Sequence, residues 1–374
     1  MNSVVRSAGV GLLTLALCNI SVQAASLAAS LKDKGPQLKS AGPLTFGPEG
    51  ILFVGDTADA AIYALATDDQ TPAPANATLK VERINEKIAA ALGTTPQQIM
   101  INDLAVNPIS HKAYLAVTRG QGPDAKPVLV RVGSGDKLDV WPLDNVRFSR
   151  AALPDAPAAT AAPAAGNRQQ NSRKDSITDL AYVGDRLLVA GLSNEEFSSS
   201  LRSIPFPFQT VNKGTSAEIY HGAHGRFETR SPIRTFVPFD IADEKHLLAA
   251  YTCTPLVSFP ISALKPGTHL KGNTIAELGN RNQPLDMIAY RKDGKDFILL
   301  ANNSRGVMKI TTENIDKSDP IVAPVPDGNK KGLTYETIAE WKGVEQLDQL
   351  DKDHALVIRS KGNGALDLEA LVLP

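Results

Sequence analysis

Cysteine is almost missing from this chain. Cys18 and Cys253 are the only two in 374 residues, so no framework of disulfides can hold the fold. Histidine is scarce as well, at six residues, and none stands in an HExxH or a haem-attaching CxxCH pattern. The phosphate-cradling GxxxxGK[ST] loop, the GxGxxG dinucleotide fingerprint and a recognisable serine-centred nucleophile elbow are all missing. Charge of neither sign dominates: the formal net charge is −1. No basic block points to nucleic acid and no acidic tail to a solvating role. The longest apolar run, Ala8 to Ile20, is too short to span a bilayer.

That run belongs to a leader. Arg6 supplies the positive end, and Val22-Gln23-Ala24 supplies small residues for cleavage before Ala25. Residues 1–24 read as a secretory signal peptide, so the expected location is secreted or periplasmic. Cys18 leaves with the leader, and Cys253 remains as a lone thiol.

What the chain does have is a repeat. Apolar openings recur roughly sixty residues apart: PLTF at Pro43, DLAV at Asp103, DLAY at Asp179, TFVPF at Thr235, PLDM at Pro284 and QLDQL at Gln346. Each is followed by a second apolar strand: ILFVGD, KAYLAV, RLLVAG, HLLAAY, FILLAN and HALVIR. Short strands at this period are expected from four-stranded blades. The predicted fold is all-β, a six-bladed β-propeller, with a seventh blade in residues 205–230 as the other count. Residues 25–374 form one domain. The Ala/Pro-rich stretch at about 151–173 reads as a flexible surface excursion. Asn85 is the expected N-cap of a short helix ending at Gly93. The N-terminal arm is expected to pair beside the C-terminal strand and close the ring. Leu201 to Phe208, interrupted by Pro205 and Pro207, reads as a cover over the third blade rather than a ladder strand.

Loops at one end of the blades carry the polar candidates. Asp103 and Asp179 hold the same place in two repeats, so both are expected to point toward the ring axis. Asp103, Asp179, Arg281, Asn282, Asp286 and Arg305 form the expected ligand-binding set. Carboxylate and amide oxygens also suit a hard cation, and Asn102, Asp103, Asp179, Asn282 and Asp286 would be the calcium ligands if one binds. His221-Gly-Ala-His224 has metal-compatible spacing but reads as a plain turn, since no third ligand is evident from the sequence. Cys253 reads as a packing thiol.

The stretch from Ala41 to Asp56, AGPLTFGPEGILFVGD, resembles the opening blade of a group of six-bladed propellers. These are the gluconolactonase and senescence-marker family, the strictosidine-synthase-like proteins and the NHL-repeat proteins. In the gluconolactonase-like enzymes this resemblance implies a metal-binding Glu before Gly-Pro; Ala41 stands there instead. The expected function is therefore an exported, non-catalytic propeller without a cofactor, binding a small polar ligand or another exported protein through its loop face. One alternative is a calcium-dependent lactonase or hydrolase. Another is an auxiliary subunit of an exported redox enzyme. No nucleic-acid partner and no transmembrane segment are expected.

Overall fold

The computed structural model describes residues 26–74, 79–159, 172–326 and 328–374. The signal-peptide reading falls outside them, as does the middle of the 151–173 stretch. Six sheets of four or more strands, antiparallel except where His269–Lys271 joins Thr215–His221, stand around an axis, and the six-bladed propeller is the fold.

The sequence pattern explains the blades. Second strands carry an unbroken apolar, buried stretch because both faces there are covered by neighbouring blades. Ile51–Asp56 is buried at all six positions. Its alternate side chains enter two different cores: Ile51 and Phe53 pack toward the third blade, Leu52 and Val54 toward the second. Period-two alternation thus appears as two apolar interfaces rather than one wet and one dry face. Each such side chain, fully buried, contributes about 1.5–3 kcal/mol.

Numbering blades I to VI by the chain order of their innermost strands, those strands are Leu44–Phe46, Ile99–Val106, Asp179–Val183, Ile233–Ile241, Pro284–Lys292 and Val344–Gln349. The order around the ring differs from the order along the chain. Apolar clusters join I with II, I with III, III with IV, IV with V, V with VI, and VI with II. The ring therefore runs II, I, III, IV, V, VI. Blade I takes its outer strand, Arg147–Ala152, from beyond blade II. Blade VI takes its outer strand, Lys80–Val81, from before blade II.

Four expectations change here. The arm closes no ring: Asp33–Lys34 pairs with Arg147 and Phe148 at the edge of blade I, and Lys80–Val81 is the strand beside the C-terminal Leu366–Val372. The 151–173 stretch does not begin as a surface excursion. Ala151 and Ala152 finish a ladder strand, Leu153 is core, and Asp155 is buried against Arg202 at 2.9 Å. Ser199–Pro205 is a ladder strand, with Pro205 at its last position, where a missing N–H is tolerated. The cover begins at Phe206, edge-on to Phe53 and Phe208. Finally, the helix Ile84–Ala91 is preceded by Arg83, and Asn85 lies inside it. Asn85 instead ties blade VI, accepting from the Leu366 N–H and donating to the Gly364 carbonyl. Residues 205–230 add no seventh blade: Thr215–His221 and Arg226–Glu228 are outer strands of blade III.

Candidate functional site

Four innermost strands share one irregularity. The pairing skips a residue between Ile101 and Asp103, Ile233 and Thr235, Pro284 and Asp286, and Val344 and Gln346. A one-residue bulge re-aims the side chains around it. Three of the skipped residues, Asn102, Arg234 and Leu285, line a cavity of about 640 Å³ at the loop end of the ring. Asp103 and Asp286, which follow the bulges, line a second cavity of about 300 Å³ along the axis. The first is a vestibule and the second is the channel beneath it.

The channel is acidic. Asp103, Asp179, Asp286 and Asp348 all line it. Each carboxylate holds the backbone of the next blade around the ring. Asp103 accepts the Leu44 N–H at 2.6 Å, Asp179 that of Phe236 at 2.7 Å, Asp286 that of Leu347 at 2.8 Å and Asp348 that of Val106 at 2.7 Å. The second oxygen of three of them takes the N–H of the following residue: Leu180, Met287 and Gln349. The carboxylates are thus fasteners between blades as well as channel lining.

Removal from water makes ionisation hard here. Burial pushes Asp179 up to about 7 and Asp348 to about 6, against the lowering effect of their backbone donors. Asp103 is raised well above the carboxylate range by burial and by the charges of Asp179 and Asp348. Asp286 is raised by burial, then by Asp103 and Asp179. Burial and mutual repulsion thus favour protonated carboxyls in the channel, Asp103 and Asp286 acting on each other.

The vestibule above is of the opposite character. Arg173, Lys174 and Arg234 line it with Asn102, Thr178 and Gln283, against a single acid among the described residues, Asp175. Arg234 is held by Asp175 at 3.1 Å and by the Thr252 hydroxyl. Arg173 donates to the Thr57, Ala58 and Pro157 carbonyls. Lys174 forms no ion pair among the described residues. Ser40, Met100, Thr118 and Lys174 also line an adjoining cavity of about 760 Å³ toward blade II, where Lys39 and Lys126 add charge. Met100, 60% exposed, stands between the two.

The residues singled out in the sequence separate into two groups. Asp103, Asp179 and Asp286 meet in the channel, together with Asp348, whose QLDQL setting carries the acid two residues after the bulge. Asn282 and Arg305 lie apart: Asn282 in the loop leading into blade V, Arg305 in the turn between that blade's second strand, Lys295–Asn302, and third strand, Gly306–Thr311. The Asn282 amide is buried, donating to the Gly279 and Asn280 carbonyls and accepting from Asn302. Arg305 donates across to the Asn280 carbonyl of the lead-in loop, where Arg281 occupies a left-handed position, φ 58°. The Asn102 amide donates to the Ala41 carbonyl and the Thr118 hydroxyl. Among the described residues, no three carboxylates bring oxygens within 4.8 Å of one another; His221, His224 and Cys253 do bring donor atoms that close. A calcium ion needs six to eight oxygens at about 2.3–2.6 Å. The aspartates are tied to backbone N–H groups instead.

No family model and no curated protein matches the chain. Several solved structures are similar to it at low identity. The PQQ-bound form of aldose sugar dehydrogenase from Streptomyces coelicolor is 12% identical, over 92% of this chain and 97% of that one, with a TM-score of 0.32. YCF48 bound to D1 peptide is 11% identical, over 90% and 95%, with a TM-score of 0.30. Chaetomium thermophilum Raptor is 9% identical, over 91% of this chain but 28% of that one, with a TM-score of 0.36. At these values the likenesses support no reading of activity. Within the described residues no helix is long and apolar enough to cross a membrane.

Proposed function

We propose that this propeller is an exported binding module, and that its vestibule takes a small polar ligand carrying an anionic group. The observation that carries this reading is the vestibule itself: a cationic and amide-bearing wall set directly over a ring of carboxyls. An anionic group on the ligand would face Lys174 and Arg234, the latter a guanidinium suited to carboxylate or phosphate. Asn102, Thr178 and Gln283 would fix its orientation. A cationic group on the same ligand would favour the ionised form of Asp103 and Asp286 at the channel mouth. Arg281, Asn282 and Arg305 would act through the shape of the blade V loop. The leader-like N-terminus supports export.

The test is a thermal-shift screen of amino acids, small carboxylates and phosphate esters, followed by calorimetry. The reading expects a ligand whose affinity falls at least tenfold in Arg234→Ala and in Lys174→Ala. A lactone or ester turned over by the purified protein, with activity lost in Asp286→Ala, would replace it with a hydrolase.

A further inference from the structure

We infer that His221, His224 and Cys253 form a binding site for one thiophilic transition-metal ion of the zinc and copper class, at the loop end of the seam between blades III and IV. This site is separate from the vestibule and does not depend on what binds there.

The turn Gly222–Gly225 joins two outer strands of blade III, Thr215–His221 and Arg226–Glu228. It places the two imidazoles against each other, ring centres 3.9 Å apart. Cys253 comes from the hairpin tip between Glu244–Tyr251 and Pro255–Pro260 of blade IV. One donor atom from each of the three residues lies within 4.8 Å of the others. An ion with bonds of about 2.0–2.3 Å to nitrogen and sulfur can draw such a set together by side-chain rotation.

The second observation is how the imidazoles are held. Both Nδ1 atoms meet one carboxylate: His221 at Glu228 Oε2, 3.2 Å, and His224 at Glu228 Oε1, 2.6 Å. The Ser231 hydroxyl donates to the same carboxylate at 2.7 Å. An ionised carboxylate can only accept, so Nδ1 carries the hydrogen in each ring. In the neutral imidazole that leaves Nε2 as a lone pair. A carboxylate behind a histidine is the usual outer support of a metal ligand. His221 is 2% exposed, yet its Nε2 has no hydrogen-bond partner among the described residues. A buried nitrogen lone pair without a partner is costly in a purely structural histidine, and a metal ion would satisfy it.

The donor set selects the metal. Two imidazoles and a thiolate suit zinc or copper and disfavour calcium and magnesium. The His224 side chain is 45% exposed and Cys253 is half-buried, so an ion has an entry path and a fourth position open to solvent.

The experiment uses the full chain, kept reduced and titrated with Co²⁺, Zn²⁺ and Cu⁺ in turn. One equivalent of Co²⁺ is expected to give an intense thiolate-to-cobalt charge-transfer band, which Zn²⁺ or Cu⁺ then abolishes. Cys253→Ser should remove the band, and His224→Gln should weaken binding at least tenfold. Glu228→Gln should weaken it about 10–100-fold. These variants leave the buried His221 in place, and circular dichroism checks that each is folded. His354→Gln, at a His–Asp pair on blade VI, should change nothing. Absence of stoichiometric binding by all three ions would overturn the site. So would a cobalt spectrum unaltered by Cys253→Ser.

Discussion

The carboxylate of Asp348 accepts the backbone N–H of Val106 at 2.7 Å, joining blade VI to blade II, which stand side by side although the chain between them forms three other blades and the outer strand of blade I. Its other oxygen takes the Gln349 N–H. Removing the side chain leaves an inner-strand donor unpaired at a blade junction. Asp348→Ala is expected to destabilise the protein by about 1–3 kcal/mol, read from the urea midpoint. An unchanged midpoint would show that water in the channel replaces the carboxylate.

Stability should depend on pH in an unusual direction above pH 4. Asp179 and Asp348 hold their protons to about 7 and about 6, whereas an unfolded Asp releases its proton near 4. A raised folded value means that the contribution is complete below about pH 4 and is lost as pH rises through 6 and 7. The melting temperature should therefore climb as pH falls from 8 to 5. Below about pH 4 the trend reverses. Asp59, lowered to about 2 by Lys39, Arg150 and Tyr63 against the opposing effect of burial, and Glu228, also lowered, then lose their favourable ionised forms. A flat profile between pH 8 and 5 would contradict the raised values of Asp179 and Asp348.

Asp155 and Arg202 form an ion pair with side chains 2% and 1% exposed, and Asp155 also accepts the Gly214 N–H. Asp155→Ala strands a buried guanidinium and should cost about 3–5 kcal/mol. Arg202→Met in the same background should restore part of it, since an apolar side chain carries no charge to strand. Chemical denaturation of the single and double variants measures both.

Val81 has no exposed surface and pairs with Leu368 in the outer strand of blade VI. Val81→Asp places a charge in that seam without a partner, and a loss of more than about 3 kcal/mol is expected. Limited proteolysis should then cut first in the C-terminal blade. First cleavage elsewhere would mean that this strand is not what closes the ring.

Much of this architecture was legible because a blade is a local pattern. ILFVGD and FILLAN announce buried strands by their own side chains, and six such strands give six blades. The shared Asp-Leu-Ala of Asp103 and Asp179 likewise marked the channel, because equivalent strand positions share a direction. Blade order was not legible: nothing within Leu44–Phe46 states that its neighbours are both blade II and blade III. Leu79 to Arg83 reads as an outer strand, but nothing in it states that Lys80–Val81 pairs with the C-terminal strand of blade VI. The bulges that separate Asn102 from Asp103 are set by pairing between strands and leave no mark in one strand alone. His221 and His224 showed their spacing, but Cys253 reaches them only through the packing of one blade on another.

The route of the chain has a consequence for how the molecule is made. As the chain emerges, Leu44 to Ala66 must wait for Arg147–Ala152 before its blade has an outer edge, and Lys80–Val81 must wait for the final residues. Early segments are thus held open until late ones arrive, a clasp rather than a row of beads. Such long-range pairing slows folding and leaves blade I unfinished until Ala152, whereas blade II draws all four of its strands from residues 99–140. A chain halted anywhere before its last strand would keep the seam of blade VI exposed and be a natural target for chaperones or proteases.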